Sequence, residues 1–369
     1  MTPSRTSARR LVALASGTAF ASGTAFALVG TGLGVAPALA QSQELNALVW
    51  CDHADPEFLR PFEEANDVKV NVKEYEGTGT ALSLIEQSRP GDWDVFAIDG
   101  IDVPRAVEAG LLAPLDESKL PLDDMFEEVK LLDQQRIDGT LYGVTDKFGY
   151  NTISFDKSKV DAETLSDMSA LWGEALKGKL SVYDYYLPLI GMVALEQGID
   201  TADISMENLP RIRDRLFELK DQATSVGEVV ASQTALATGE VDVLVGGGEW
   251  LTANLAAEQP DLDWIIPEEG GVFWSISMAV MADSENKELA HKFVEYTMSP
   301  EGQARLATSS CFWAMPANRL AGDNLSVQQK QALRWDDQPD YLSRSQLYPA
   351  PDAELDAAMQ DVWTEFLAR

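Results

Sequence analysis

Residues 45–98 contain three short β-rich runs, LNALVW (45–50), VKVNVKEY (68–75) and DVFAI (94–98). Two segments with helical periodicity separate these runs; Pro56 stands in the first turn of one, and GTGT (77–80) opens the other. The order strand, helix, strand, helix, strand predicts a parallel sheet with helices on its faces. In open sheets of this kind, ligands bind at the carboxyl ends of the strands. Those ends lie at residues 50–53, 76–78 and 99–101.

A second α/β unit follows residue 150. Its predicted strands are 152–155, 179–183 and 241–245, and its predicted helices are 187–197 and 209–224. An extended run at 272–280 then crosses back to the first unit. Two α/β lobes joined by two crossing hinge strands make a clamshell, the two-lobed architecture that closes on a small ligand. We expect lobe I to contain 41–147 and about 276–325, and lobe II to contain 148–275 and about 326–369.

The charge balance of the chain is strongly acidic. Of 369 residues, 28 are Lys or Arg and 60 are Asp or Glu, which gives a formal net charge of -32. A surface of this sign repels phosphate backbones, so we expect no nucleic-acid partner. With only 2 His residues, a His-rich metal cluster cannot be assembled, and no metal site is predicted.

The first forty residues have the pattern of a secretory signal. Arg5, Arg9 and Arg10 precede a weakly apolar stretch at 11–34, and small residues follow at 38–40. This pattern predicts a signal peptide at 1–40 that is cleaved after Ala40, and therefore a periplasmic protein. The Arg pair matches a twin-arginine signal only loosely, so general secretion is favoured while both routes stay open.

The mature chain contains two cysteines, Cys51 and Cys311. An even pair in an oxidising compartment predicts a disulfide. The alternative is a secreted enzyme that uses one of them as a thiol nucleophile, with His53 as the nearest base in the sequence. A count of free thiols separates these two interpretations.

Short motifs in a fixed order connect the chain to a known family. In sequence order they are GDWDV (91–95), AGLLAPL (109–115), KGKL (177–180), GEV (239–241) and PEEGGVFW (267–274). In this order they resemble the spermidine/putrescine-binding proteins of ABC importers, which are extracellular solute-binding proteins. The resemblance covers about residues 45–369. It implies a monomer without cofactor or enzymatic activity that delivers a small ligand to an inner-membrane ABC permease.

The predicted ligand pocket is aromatic. The candidate ligand-binding residues are Trp50, His53, Asp99, Tyr185, Trp250, Trp274 and Trp313. Ring faces attract cations, and each face contributes roughly 0.5–2 kcal/mol once water is excluded. In the resemblance, Trp50 and Trp274 match residues that stack on the ligand, while Asp99 or His53 would fix its polarity. These residue types predict an organic cation as the ligand.

The acidic positions of the family are not matched here. They read Tyr185, Pro188 and Ile276, none of which accepts a charged N–H group as a carboxylate does. The absence predicts a methylated cation in an aromatic cage, a quaternary ammonium or sulfonium such as betaine or dimethylsulfoniopropionate. A zwitterion's carboxylate would bind at the helix start 77–80 or at a basic side chain. The alternative ligand is a polyamine whose carboxylates come from Asp99, Asp146 and Glu249.

Overall fold

The computed structural model describes residues 43–75, 77–130 and 132–369. The signal peptide predicted at 1–40 lies outside this part of the chain. Within the described ranges, no helix is both long enough and apolar enough to cross a membrane.

Strands and helices alternate through most of the chain. The strands are β1 (Gln43–Val49), β2 (Val68–Glu74), β3 (Val95–Asp99), β4 (Leu112–Ala113), β5 (Arg136–Ile137), β6 (Thr140–Leu141), β7 (Val144–Asp156), β8 (Leu180–Tyr183), β9 (Ala223–Gly227), β10 (Val243–Gly247), β11 (Leu262–Ile265), β12 (Val272–Met281), β13 (Met315–Pro316) and β14 (Gln346–Leu347). The helices are α1 (Pro56–Asn66), α2 (Thr78–Gln87), α3 (Val103–Glu108), α4 (Leu132–Gln135), α5 (Tyr186–Glu196), α6 (Leu209–Gln222), α7 (Val229–Ala237), α8 (Glu249–Thr252), α9 (Lys287–Met298), α10 (Pro300–Ala307), α11 (Val327–Ala332), α12 (Gln338–Ser343) and α13 (Ala353–Ala368).

The parallel core predicted for residues 45–98 is confirmed. β1 pairs in parallel with β2 on one side and with β3 on the other. Leu45, Ala47, Leu48 and Val49 are all fully buried, so β1 is covered on both faces. Burial on both faces is typical of parallel strands packed between helices.

Two long strands carry the sheet from one half of the molecule to the other. β7 and β12 run antiparallel, from Val272 opposite Asn151 to Met278 opposite Val144. The resulting sheet has the order β2–β1–β3–β12–β7–β10–β8–β9. We call β2, β1, β3 and β12 its first half, and β7, β10, β8 and β9 its second half. The two predicted crossing strands are therefore present, whereas the exact residue ranges proposed for the lobes stay a prediction.

β7 is longer than the sequence indicates. The predicted strand began at residue 152, but the structure extends it back to Val144, and its residues 144–155 are buried. Asp146 and Lys147 interrupt the apolar pattern, which is why the pattern fails to predict strand there. Both side chains are nevertheless fully buried, because their charges meet other buried charged groups.

Local signals explain where two of the helices lie. Asp55 accepts a hydrogen bond from the backbone N–H of Glu57 and caps α1, with Pro56 as its first residue. α5 is apolar on every side, and its residues 187–195 are all buried. It packs against β7, β10, β12, α6 and α13, so the C-terminal helix belongs to the packing around the second half of the sheet.

The predicted disulfide between Cys51 and Cys311 is confirmed. It joins the segment after β1 to the loop after α10 and spans 260 positions of sequence. Both cysteines of the described chain are held in this disulfide, so neither is a free thiol that could act as the nucleophile of the alternative enzyme.

Candidate functional site

Trp50 and Tyr75, which directly follow β1 and β2, form one wall of the candidate site. Their ring centroids are 5.2 Å apart. The Tyr75 hydroxyl donates a hydrogen bond to the carbonyl oxygen of Ala97 in β3, which holds the ring against the sheet. The two rings meet because the carboxyl ends of neighbouring parallel strands share one edge of the sheet.

Three carboxyl groups lie near the Tyr75 hydroxyl. Burial raises the pKa of Tyr75 well above its ordinary value, and the carboxylates of Asp99, Asp102 and Asp146 raise it further. Asp99 ends β3, Asp102 directly precedes α3, and Asp146 lies in β7. Negative charge from three separate elements therefore gathers beside the Trp50–Tyr75 wall.

Asp99 and Asp102 share the hydroxyl of Thr78, the first residue of α2. Thr78 Oγ1 donates to Asp99 Oδ2 over 2.9 Å, and a hydrogen bond from Thr78 also lowers the pKa of Asp102. Burial nevertheless raises the pKa of Asp99 to about 7, and the Asp102 carboxylate adds to the rise. Burial likewise raises the pKa of Asp102. This pair is suited to holding either a proton or a bound cation.

A cluster of tyrosines forms the opposite wall. Tyr185, at the start of α5, lies 6.1 Å from Tyr183, 5.9 Å from Tyr186 and 5.8 Å from Tyr348 between ring centroids. Burial raises the pKa of Tyr185 well above its ordinary value, and the Asp99 carboxylate is the next cause. Asp99 also raises the pKa of Tyr348. An acid of the first half of the sheet thus affects Tyr185, which follows β8 of the second half, and Tyr348, which follows β14 beside β12.

Trp250 and Trp274 extend the aromatic lining. Trp250 lies 5.2 Å from Tyr183 in a T-shaped arrangement, and its Nε1 donates to the carbonyl oxygen of Tyr150 over 3.1 Å. Trp274 lies 6.3 Å from Phe312, also T-shaped. Both tryptophans are buried, so each has a packing role as well as any role toward a ligand.

Gly149 lets Trp274 and Glu249 approach the backbone of β7. A Cβ atom at this position would lie 2.3 Å from Trp274 Cζ2 and 2.3 Å from Glu249 Oε1, which is too close for any side chain. Glu249 accepts hydrogen bonds from the backbone N–H of Tyr150 over 3.1 and 3.2 Å. Burial raises the pKa of Glu249 to about 8, so this carboxyl also holds its proton near neutral pH.

His53 is fully buried between two carboxylates. Its Nδ1 lies 3.1 Å from Asp52 Oδ1, and its Nε2 lies 2.6 Å from Asp146 Oδ2. Both ring nitrogens are therefore used within the protein. This arrangement makes His53 a neighbour of the site rather than a group that is free to contact a ligand.

Trp313 is placed apart from the other predicted residues. It lines a surface cavity of about 590 Å³ together with Asp55, Glu57 and Arg305. Within the described ranges, Trp313 makes no ring contact with the other aromatic residues predicted for the site. A role for Trp313 toward a ligand therefore stays a prediction.

Sequence reasoning missed Tyr75, Asp102 and Asp356. Tyr75 and Asp102 carry a usable signal, because Tyr75 is the last residue of one predicted strand and Asp102 lies four residues after the end of another. Asp356 has no such signal, since α13 reaches the site only by tertiary packing. The carboxylate of Asp356 accepts a hydrogen bond from the Tyr186 hydroxyl over 2.6 Å and raises the pKa of Asp102.

Metal binding has no support in the arrangement of these acids. Among residues 43–75, 77–130 and 132–369, no group of three or more His, Cys, Asp or Glu side chains is arranged to hold a metal ion. The acids instead alternate with aromatic rings, an arrangement that fits an organic cation.

Comparison with known proteins identifies similar sequences. Residues 57–334 match the family described as bacterial extracellular solute-binding protein. The spermidine/putrescine-binding periplasmic protein of Escherichia coli K12 is 22% identical over 284 residues, which cover 76% of this chain and 80% of that protein. The putrescine/agmatine-binding protein of Pseudomonas aeruginosa is 24% identical over 295 residues, which cover 73% and 77%, respectively.

Solved structures share the fold. The spermidine/putrescine ABC transporter substrate-binding protein of Streptococcus pneumoniae superposes with a TM-score of 0.74 at 19% identity, over 89% of this chain and 99% of that one. This similarity confirms the predicted fold class, a two-lobed α/β clamshell.

Proposed function

Because the chain belongs to the bacterial extracellular solute-binding proteins, we propose that it captures a polyamine for an ABC importer. The ligand's methylene chain would lie between the Trp50–Tyr75 wall and the tyrosine wall around Tyr185. Asp99 and Asp102 would accept N–H groups from a terminal ammonium. The observation that carries the proposal is the position of Asp99. Its carboxylate raises the pKa of Tyr75 in one wall and of Tyr185 in the other.

A polyamine explains this arrangement better than the methylated cation predicted first. A quaternary ammonium or sulfonium has no N–H donor, so it would leave the buried carboxylate oxygens without hydrogen bonds. The helix start 77–80, suggested as the seat of a zwitterion's carboxylate, already has Asp99 bound to Thr78. The names of the curated relatives, which refer to spermidine, putrescine and agmatine, support the same choice.

Capture would proceed by closure of the two halves. Asp99 and Asp102 lie on the first half, and Tyr185, which follows β8, lies with the second half, so one ligand contacts both only in the closed form. The ligand stabilises that form by its difference in affinity for the two states. We propose that the closed, periplasmic protein then docks on an inner-membrane permease and performs no chemistry on its ligand.

Isothermal titration calorimetry with four ligands tests the proposal. Putrescine or spermidine should bind with a defined stoichiometry of one, whereas glycine betaine and dimethylsulfoniopropionate should bind weakly or not at all. The physical reason is that only the amines supply N–H donors to Asp99 and Asp102. Tight binding of either methylated zwitterion without binding of either amine would contradict the proposal.

The affinity for the amine is expected to rise with pH. Burial raises the pKa of Asp99 to about 7, so at lower pH the carboxyl carries a proton that a bound cation must displace. The ligand keeps its charge over this range, because alkyl ammonium groups such as that of lysine titrate near pH ~10.4. Ionisation of one carboxyl group with the pKa of Asp99, about 7, lowers the dissociation constant on the order of tenfold between pH 6 and 7.5. Calorimetry across this range should show the slope, and a constant affinity would rule out the assignment of Asp99.

A further inference from the structure

A chain of four buried charged side chains lies beside the proposed ligand site. Lys147 Nζ contacts Asp52 Oδ2, Asp52 Oδ1 lies 3.1 Å from His53 Nδ1, and His53 Nε2 lies 2.6 Å from Asp146 Oδ2. All four side chains are almost completely excluded from solvent. Lys147 also lies 4.7 Å from the centroid of the Phe312 ring. We call these four residues the buried charge chain.

One end of the buried charge chain has an unused acceptor. Asp146 Oδ1 is buried and has no hydrogen-bond partner, although its other oxygen is bound to His53. Burial raises the pKa of this carboxyl, and the interactions with His53 and with the backbone of residues 146 and 147 oppose the rise. A buried acceptor without a partner is costly, so an N–H donor placed at Oδ1 would be favourable.

The backbone presents Asp146 by means of a β-bulge. Ile276 pairs with Lys147 and Ser277 pairs with Thr145, so Asp146 is the additional residue between two regular pairs of β7 and β12. Bulges occur next to binding sites because they redirect a side chain out of the regular alternation.

The location of Asp146 connects it with the ligand site. Its carboxylate is one of the three that raise the pKa of Tyr75, whose ring packs against Trp50. The carboxylates of Asp99 and Asp102 also raise the pKa of the Tyr75 hydroxyl. The Asp99–Asp102 pair and Asp146 are therefore all close enough to Tyr75 to raise its pKa, although they come from separate parts of the chain.

The charged forms of the buried chain are disfavoured by burial. Burial raises the pKa of Asp146 and lowers the pKa of Lys147 well below its ordinary value. A cation bound at Asp146 would favour the ionised carboxylate, because a buried charge is unfavourable unless it is paired. The titratable groups facing Asp146 are His53 on the segment after β1, Tyr75 after β2, and Lys147 and Asp52 through His53.

We propose that Asp146 is a second ammonium-binding residue, which selects diamines over monoamines. Its Oδ1 would accept an N–H group from one end of the ligand, while Asp99 and Asp102 hold the other end. The incoming ammonium would replace the proton that Asp146 holds when its carboxyl is neutral, and that proton would leave to solvent. His53, Asp52 and Lys147 are positioning residues that hold Asp146. This inference rests on the proposed function and adds the class of amine.

Two probes with the same four-carbon chain, putrescine and butylamine, isolate the second ammonium. Asp146→Asn should weaken putrescine binding about 10- to 100-fold, as expected for loss of a hydrogen bond to a charged group, and leave butylamine binding unchanged. Asp94→Asn is the matched control, because Asp94 is buried like Asp146 but bonds to Asn46 and Ser284 in the first half. This control should bind both amines as the wild type does.

A measurement on the unaltered protein covers the case in which Asp146→Asn fails to fold. Calorimetry at pH 6.5 in two buffers of different ionisation enthalpy counts the protons released on binding. Putrescine should release more protons than butylamine. Equal proton release, or an equal loss of affinity for both amines in the folded variant, would overturn the assignment of Asp146. If neither amine binds the wild type, the proposed function itself fails, which is a distinguishable result.

Discussion

Replacement of Asp99 by Asn is expected to weaken polyamine binding by about two to three powers of ten. Removal of one member of a buried charge pair costs about 3–5 kcal/mol, because the other charge is left without compensation. The carboxylate of Asp99 raises the pKa of Tyr75 in one wall and of Tyr185 in the other. Few other groups are placed to bind an ammonium between these two walls. Calorimetric titration with putrescine and spermidine measures the loss directly.

Matched variants separate this effect from a general change in charge. Asp116→Asn removes an acid whose oxygen bonds only to the neighbouring Ser118 in the exposed segment before α4, and it should bind both amines normally. The Asp99→Asn protein should also be no less stable than the wild type at pH 8. Burial raises the pKa of Asp99, so ionisation of this carboxyl disfavours the folded state as pH rises toward 7. Undiminished affinity in Asp99→Asn would refute its role.

Loss of the disulfide is expected to lower the free energy of unfolding by about 5 kcal/mol. The bond between Cys51 and Cys311 closes a loop of about 260 residues in the unfolded chain, and loop entropy gives this magnitude for a loop of that length. Since whole domains are stable by only about 5–15 kcal/mol, the double variant Cys51→Ala/Cys311→Ala should unfold at a much lower urea concentration.

The effect of the disulfide on the site has its own control. Cys51 lies between Trp50 and Asp52, so reduction should also loosen one aromatic wall and the buried charge chain. Wild-type protein treated with a reductant should match the double variant in its urea midpoint. If both unfold at the same urea concentration as the oxidised protein, the loop argument does not hold for this chain.

The parallel core could be predicted because its signals are local. The apolar runs of β1 and β3, the apolar alternation of β2 and Pro56 at the start of a helix can all be read without knowledge of distant residues. The length of β7 was not predictable in the same way. Asp146 and Lys147 break the local pattern, and only their pairing with Asp52 and His53, more than ninety positions earlier, makes their burial favourable.

The sequence predicted the types of residue at the candidate site, aromatic and acidic, better than it predicted which individual residues lie there. Trp50, Asp99 and Tyr185 follow strands whose ends meet, and the structure brings them together. The loss of acids at Tyr185, Pro188 and Ile276 pointed to a methylated cation. That inference assumed that ligand-binding carboxylates must occupy the same positions as in the family. Here three carboxyl groups come from other positions: Asp99 from β3, Asp102 from the turn after β3, and Asp146 from β7.

The continuous sheet limits how the molecule can open. β7 and β12 are hydrogen-bonded to each other and to both halves of the sheet, so neither half is attached by a loose tether. The opening motion of the proposed capture would therefore twist these two paired strands, whose regular pairing is interrupted at the Asp146 bulge. A ligand ammonium bound at Asp146 would lie at this interruption and would restrain the twisting of β7 against β12. Release of the ligand would remove that restraint.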